Sequence, residues 1–94
     1  MNLKQLNILL ADDDTDDCIF FENALGELLL STNLTTVHDG EQLMLLLTKN
    51  STENFDVLFL DLNMPRKNGI TCLDEIKHTD KLKSIPVIIF STSY

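Results

Sequence analysis

Phe55-Asp56-Val57-Leu58-Phe59-Leu60-Asp61 is an apolar run that closes on an acid, with Pro65 and Gly69 in the loop behind it. A run this short, bounded by turn residues, reads as a strand buried on both faces of a parallel sheet. Upstream, Leu6-Asn7-Ile8-Leu9-Leu10-Ala11 has the same character and runs into Asp12 and Asp13. Downstream, Pro86 introduces Val87-Ile88-Ile89-Phe90, which ends at Ser91. The β-branched stretch Leu34-Thr35-Thr36-Val37 supplies one more strand. Helical patterns fill the intervals. From Thr15 to about Leu30, Phe21, Leu25 and Leu28 form a stripe with Ala24 and Leu29 beside it, and Asp14 or Thr15 can cap the start. Asp39 stands three residues before Gln42, a capping-box-like start for a helix from Gly40 to about Lys49. Asn68 can cap a third helix bearing Ile70, Leu73 and Ile76.

Strands alternating with helices at this spacing predict right-handed crossovers and an α/β fold with a doubly wound parallel sheet. Sites on such sheets form at the carboxyl ends of the strands. Asp12, Asp13, Asp61 and Ser91 all fall there, so the polar groups converge where the fold would put a site.

Ninety-four residues, 44% hydrophobic and 23% charged, suit one small domain and exclude a multidomain enzyme. A formal charge of -8 repels nucleic-acid backbones and anionic lipid, so no nucleic-acid partner is expected. The longest apolar runs, Leu43 to Leu47 and Val57 to Leu60, fall far below a membrane span of about 20 residues, and no membrane association is expected. Cys18 and Cys72 lack CxxC spacing and there is no secretory signal, which points to small apolar packing in a reducing cytoplasm rather than to a disulfide or zinc framework. The acids are unevenly placed: twelve acids and two bases precede Leu62, against three acids and five bases from there on.

Five acids crowd into Asp12-Asp13-Asp14-Thr15-Asp16-Asp17. Alone, such a run is an ordinary solvated helix start, where acids complement the dipole. With Asp61 on an adjacent strand, three carboxylates meet within a few ångströms, and ionising all of them needs a cation. Oxygen-only donors suggest Mg²⁺, which keeps several waters and shares phosphate oxygens. An EF-hand reading fails, since Asp17 and Asn23 stand where that loop needs Gly and Glu.

Taken together, Ile8-Leu9-Leu10-Ala11-Asp12-Asp13, Leu60-Asp61-Leu62-Asn63-Met64-Pro65 with Gly69, and Pro86-Val87-Ile88-Ile89-Phe90-Ser91 resemble the receiver domain of bacterial two-component response regulators. The third-strand motif with Ser91-Thr92-Ser93 is similar to the single-domain regulators that partner phytochrome-type kinases. The resemblance implies a flavodoxin-like receiver fold over the whole chain. It implies that Asp61 accepts a phosphoryl group from the phosphohistidine of a sensor histidine kinase or phosphotransfer protein. Asp13, Asp61 and the backbone carbonyl of Asn63 would bind Mg²⁺ directly, with Asp12 acting through a bound water. Ser91 would hydrogen-bond the phosphoryl oxygens and couple phosphorylation to movement of the following loop.

One departure stands out. Receivers carry a fifth strand with a lysine at its end and an aromatic switch residue, whereas this sequence stops at Tyr94. The expectation is therefore a receiver truncated after the fourth strand: either a fragment, or an assembly, a homodimer or swapped form, that covers the exposed edge.

His38 and His78 fall at element ends without a second ligand and are expected at the surface with no role. Arg66 and Lys67 follow Asp61 closely and could steer an acidic or phosphorylated partner, though a solvated loop is the simpler reading. Leu43 to Leu47 exceeds one helical stripe, and burial under the sheet is expected ahead of a partner surface. Overall the sequence reads as a switch and not a turnover enzyme. The rival is a receiver-fold docking or dimerisation module that works without phosphorylation. A hydrolase ranks below both, because Asn63 stands where a second Asp after the nucleophile would be needed.

Overall fold

The computed structural model describes residues 5–28, 31–49 and 55–91. Four parallel strands, β1 (Leu6–Ala11), β2 (Thr32–Val37), β3 (Val57–Asp61) and β4 (Val87–Phe90), alternate with α1 (Thr15–Gly26), α2 (Gly40–Lys49) and α3 (Gly69–Lys77). The sheet order is β2-β1-β3-β4, so the two acid-tipped strands are the central pair. Their register sets Leu9 beside Leu58 and Ala11 beside Leu60. This is the doubly wound, flavodoxin-like receiver fold that the alternating pattern and the resemblance imply.

Alternation along the strands sorts the core. Leu9, Ala11, Leu58 and Leu60 point to one face and pack with Leu43, Met44 and Leu47 of α2 and Cys72 and Ile76 of α3. On the other face Phe59 meets Phe21 of α1 edge to face, with ring centroids 4.9 Å apart. Burying aliphatic side chains at this density supplies the main drive to fold, about 1.5–3 kcal/mol for each large residue.

The caps follow their chemistry. Asp14, not Thr15, caps α1, its carboxylate accepting the Asp16 and Asp17 N–H groups. Asn68 caps α3 through the Thr71 N–H. At α2, Asp39 Oδ1 accepts the Gln42 N–H at 2.8 Å, and Gln42 Oε1 accepts the His38 N–H at 2.8 Å. The Asp14, Asn68 and Asp39 side chains each satisfy a backbone donor that the first turn leaves unpaired, and the Gln42 side chain ties back the residue before its cap.

Several sequence expectations need correcting. The first helix ends at Gly26, with Leu28 outside it and exposed; Leu29 and Leu30 lie outside the described residues. No basic residue stands in its last turn to favour extension, and Gly is a poor helix former. Strand β2 starts two residues earlier than Leu34, and β3 starts at Val57 because Asp56 turns its carboxylate back to accept the Asn7 N–H at 2.7 Å. Of the apolar residues that α3 bears, Ile76 is buried, Leu73 half-buried and Ile70 64% exposed, and Cys72 is buried beside Ile76. Within Leu43 to Leu47, Leu45 faces outward and Leu46 is half-buried, so burial covers one stripe and not the whole run. No helix among the described residues is long and apolar enough to cross a membrane.

The two edges of the sheet differ. β2 is Thr and Asn rich, and its Asn33 amide donates to Asn7 Oδ1 at 3.3 Å. β4 is entirely apolar, and Ile88 and Ile89, which point to opposite faces, are 49% and 48% exposed.

Candidate functional site

Parallel pairing of β1 with β3 brings their carboxyl ends side by side and assembles the site. Asp12 follows β1 directly and stays in the ladder, its N–H donating to the Val37 carbonyl at 3.0 Å. Asp61 is the last residue of β3, and both are buried. Asp13, next along, is exposed. One carboxylate oxygen from each of Asp12, Asp13 and Asp61 lies within 4.8 Å of the others. These are the three acids that the sequence picked out.

Asp12 is held from three sides. Its Oδ1 accepts the Asp14 N–H at 3.0 Å, while its carbonyl meets the His38 Nδ1 at 3.1 Å and the Cys18 thiol at 3.7 Å. Burial pushes its carboxyl up to about 6, helped by the neighbouring Asp61 and Asp17 and opposed by the Asp14 N–H. Asp17 is raised as well, by burial first and then by Asp14 and Asp61. Its Oδ2 is buried with no hydrogen-bond partner.

Beyond Asp61 the chain turns sharply. The Asn63 N–H donates to Asp61 Oδ1 at 2.9 Å, and the Asn63 side-chain amide donates to the Ser91 hydroxyl oxygen at 2.9 Å. Ser91 follows β4 and is exposed, so all four polar positions singled out at the strand ends do converge on one rim, with Asn63 spanning it. Arg66 takes a left-handed φ of 67°, and the Lys67 N–H donates to the Pro65 carbonyl at 2.8 Å across it, a tight three-residue turn. The loop then returns so closely that a Cβ on Gly69 would lie 2.5 Å from the Asp61 carbonyl oxygen. Only glycine lets the start of α3 lie against the backbone that presents Asp61.

Arg66 pairs with Asp39 at 3.5 Å and Glu41 at 3.7 Å, and Lys67 pairs with Glu75. Both cations are thereby turned toward α2 and α3. His78 is an exposed surface residue paired with Asp74. Cys18 and Cys72 are free and buried, and burial pushes the Cys18 thiol up to about 11, so it stays protonated and apolar in character.

The donors available to a ligand are thus carboxylate oxygens, and burial with like-charge neighbours makes leaving them without a cation costly at Asp12. That set fits a hard divalent cation and does not fit a thiolate or imidazole metal.

Three contributions escaped the sequence reading. Asp17 lies four residues before Phe21, on the α1 face that meets the sheet, and that spacing was a usable signal. His38 reaches Asp12 because β1 and β2 run in register from Leu6 to Ala11, which the strand patterns alone do not specify. The Asn63 amide could not be read at all, since its partner lies 28 residues away.

Known proteins resemble this chain in sequence and fold. Residues 8–94 match the response regulator receiver domain. Response regulator Rcp1 of Synechocystis sp. is 34% identical over 91 residues, which cover 93% of this chain and 62% of Rcp1. The chain therefore spans less than two thirds of that relative's length. The crystal structure of the phosphorylated cyanobacterial phytochrome response regulator RcpA aligns with a TM-score of 0.89 at 34% identity, covering 96% of this chain and 67% of RcpA. The Mn²⁺-bound form of response regulator Rcp1 aligns with a TM-score of 0.87 at 31% identity, over 95% of this chain and 67% of the other. With a match that runs nearly its full length and a fold that carries the acids to one rim, this chain belongs to the response regulator receiver domain family.

Proposed function

We propose that this chain is a phosphoryl-accepting receiver of a two-component signalling system, with Asp61 as the acceptor. The observation that carries the reading is the meeting of Asp12, Asp13 and Asp61 at the ends of β1 and β3, with Asp61 buried on the last residue of its strand. A carboxylate oxygen of Asp61 attacks the phosphorus of a phosphohistidine. The P–N bond breaks, the imidazole takes up a proton, and an acyl phosphate is left on the protein. Asp12, Asp13, Asp61 and the Asn63 carbonyl are the groups that would hold Mg²⁺, which supplies charge neutralisation to the incoming phosphoryl group. The Ser91 hydroxyl then donates to a phosphoryl oxygen and reports occupancy to the loop after β4.

The donor is a sensor histidine kinase or phosphotransfer protein, and the chain acts as a switch in a reducing cytoplasm. The phosphorylated form of RcpA and the Mn²⁺-bound form of Rcp1 support both the modification and the choice of a hard divalent cation. The exposed apolar edge of β4 supports self-association as a secondary property of the same chain.

Intact mass after incubation with acetyl phosphate, with and without Mg²⁺, tests the reading on this chain and on Asp61→Asn. A Mg²⁺-dependent phosphoryl adduct is expected on the parent and not on the variant. Equal labelling of the two would move the acceptor elsewhere. A parent that stays unlabelled would favour a docking module that works without phosphorylation.

A further inference from the structure

Two hydrogen bonds of Asn63 differ in kind: its backbone N–H donates to Asp61 Oδ1, and its side-chain amide donates to Ser91 Oγ, both at 2.9 Å. The second bond joins the β3–α3 loop to the end of β4. Its polarity matters. A hydroxyl carries one proton and two lone pairs. Because the amide donates into a lone pair, the Ser91 proton is left to be given away, and a hydroxyl that already accepts a hydrogen bond is a stronger donor.

We propose that Asn63 is a positioning residue for Ser91: its side-chain amide holds the Ser91 hydroxyl at the rim of the site with the proton directed to an anionic oxygen on Asp61. The inference rests on the phosphoryl-acceptor reading and adds to it. An acceptor at position 63 would reverse the arrangement, since a carboxylate there takes the Ser91 proton for itself and also adds a negative charge to the rim. Both residues are exposed, so neither substitution empties a core position.

The test is a double-substitution cycle on the rate of Mg²⁺-dependent phosphorylation by acetyl phosphate, using Asn63→Ala, Ser91→Ala and the pair, with Asn63→Asp as the reversed-polarity variant. Asn63→Ala is expected to slow acceptance about five-fold when Ser91 is present, the scale of one hydrogen bond. That effect should shrink to within about two-fold once Ser91 is alanine. Asn63→Asp should be slower than Asn63→Ala, although it is closer in size to the parent. In the unphosphorylated chain, Ser91→Ala should shift the Asn63 side-chain amide resonances. Equal slowing by Asn63→Ala with and without Ser91, unmoved amide resonances, or an Asn63→Asp variant as fast as the parent would each overturn the inference while leaving the acceptor reading intact. A parent that takes no phosphoryl group would instead overturn the acceptor reading, and this inference with it.

Discussion

Asp12 is 1% exposed and its carboxyl is pushed up to about 6 from an ordinary 3.8, chiefly by burial. The folded chain thus holds a proton more tightly than the unfolded chain between those values. Stability without metal is greatest below the window and falls as pH rises through it, by about 3 kcal/mol over the whole window for a shift of this kind. Asp17, raised in the same direction, adds to the trend. Urea midpoints of chelated protein should therefore be lower at pH 7 than at pH 4.5, Mg²⁺ should restore the loss at pH 7, and Asp12→Asn should flatten the profile. Midpoints that rise steadily from pH 4.5 to 7 would contradict this account. At this scale the residue types were readable: acids at strand ends announced themselves. Which acid would carry the burden of burial was not, because it depends on Asp12 remaining in the β ladder while Asp13 turns outward.

Among the elements, the β3–α3 connection does the most to set the site. Its tight turn at Arg66 and the close approach at Gly69 fix where Asp61 and Asn63 point. Gly69→Ala should destabilise by about 1–3 kcal/mol, as expected when a methyl group is forced into filled space, and should slow phosphoryl acceptance by displacing the Asp61 backbone. Gly26→Ala is the control: nothing lies within 4 Å of the added methyl. It should be neutral or stabilising by up to about 1 kcal/mol, since alanine favours the end of α1. Comparing the two melting curves checks both, and equal shifts would remove the steric explanation. Helix α2 was legible end to end because Asp39 and Gln42 mark its start. The end of α1 was not, because the leucines that continue past Gly26 keep the helical spacing while Leu28 remains exposed. Spacing reports what could be buried; only packing decides what is.

Among the described residues the sheet is asymmetric. Polar side chains guard the β2 edge, whereas β4 offers Ile88 and Ile89 to both faces, and Phe20 of α1 is 73% exposed. Unpaired strand edges with apolar side chains invite another strand. Sedimentation velocity on this chain should show a concentration-dependent shift to larger species, and Ile88→Lys should reduce it while leaving Mg²⁺-dependent phosphorylation unchanged. A parent that sediments as a monomer throughout would exclude edge pairing. The central pairing carries a different implication. The Asn7 and Asp56 partners that open the β1–β3 ladder are 49 residues apart in sequence. Asp61 is therefore remote from Asp12 and Asp13 in the unfolded chain and meets them only when the longest loop between neighbouring strands is closed. Closure entropy and carboxylate repulsion fall in one event, so the feature that makes the site able to hold a cation also slows the route by which the chain reaches its native state.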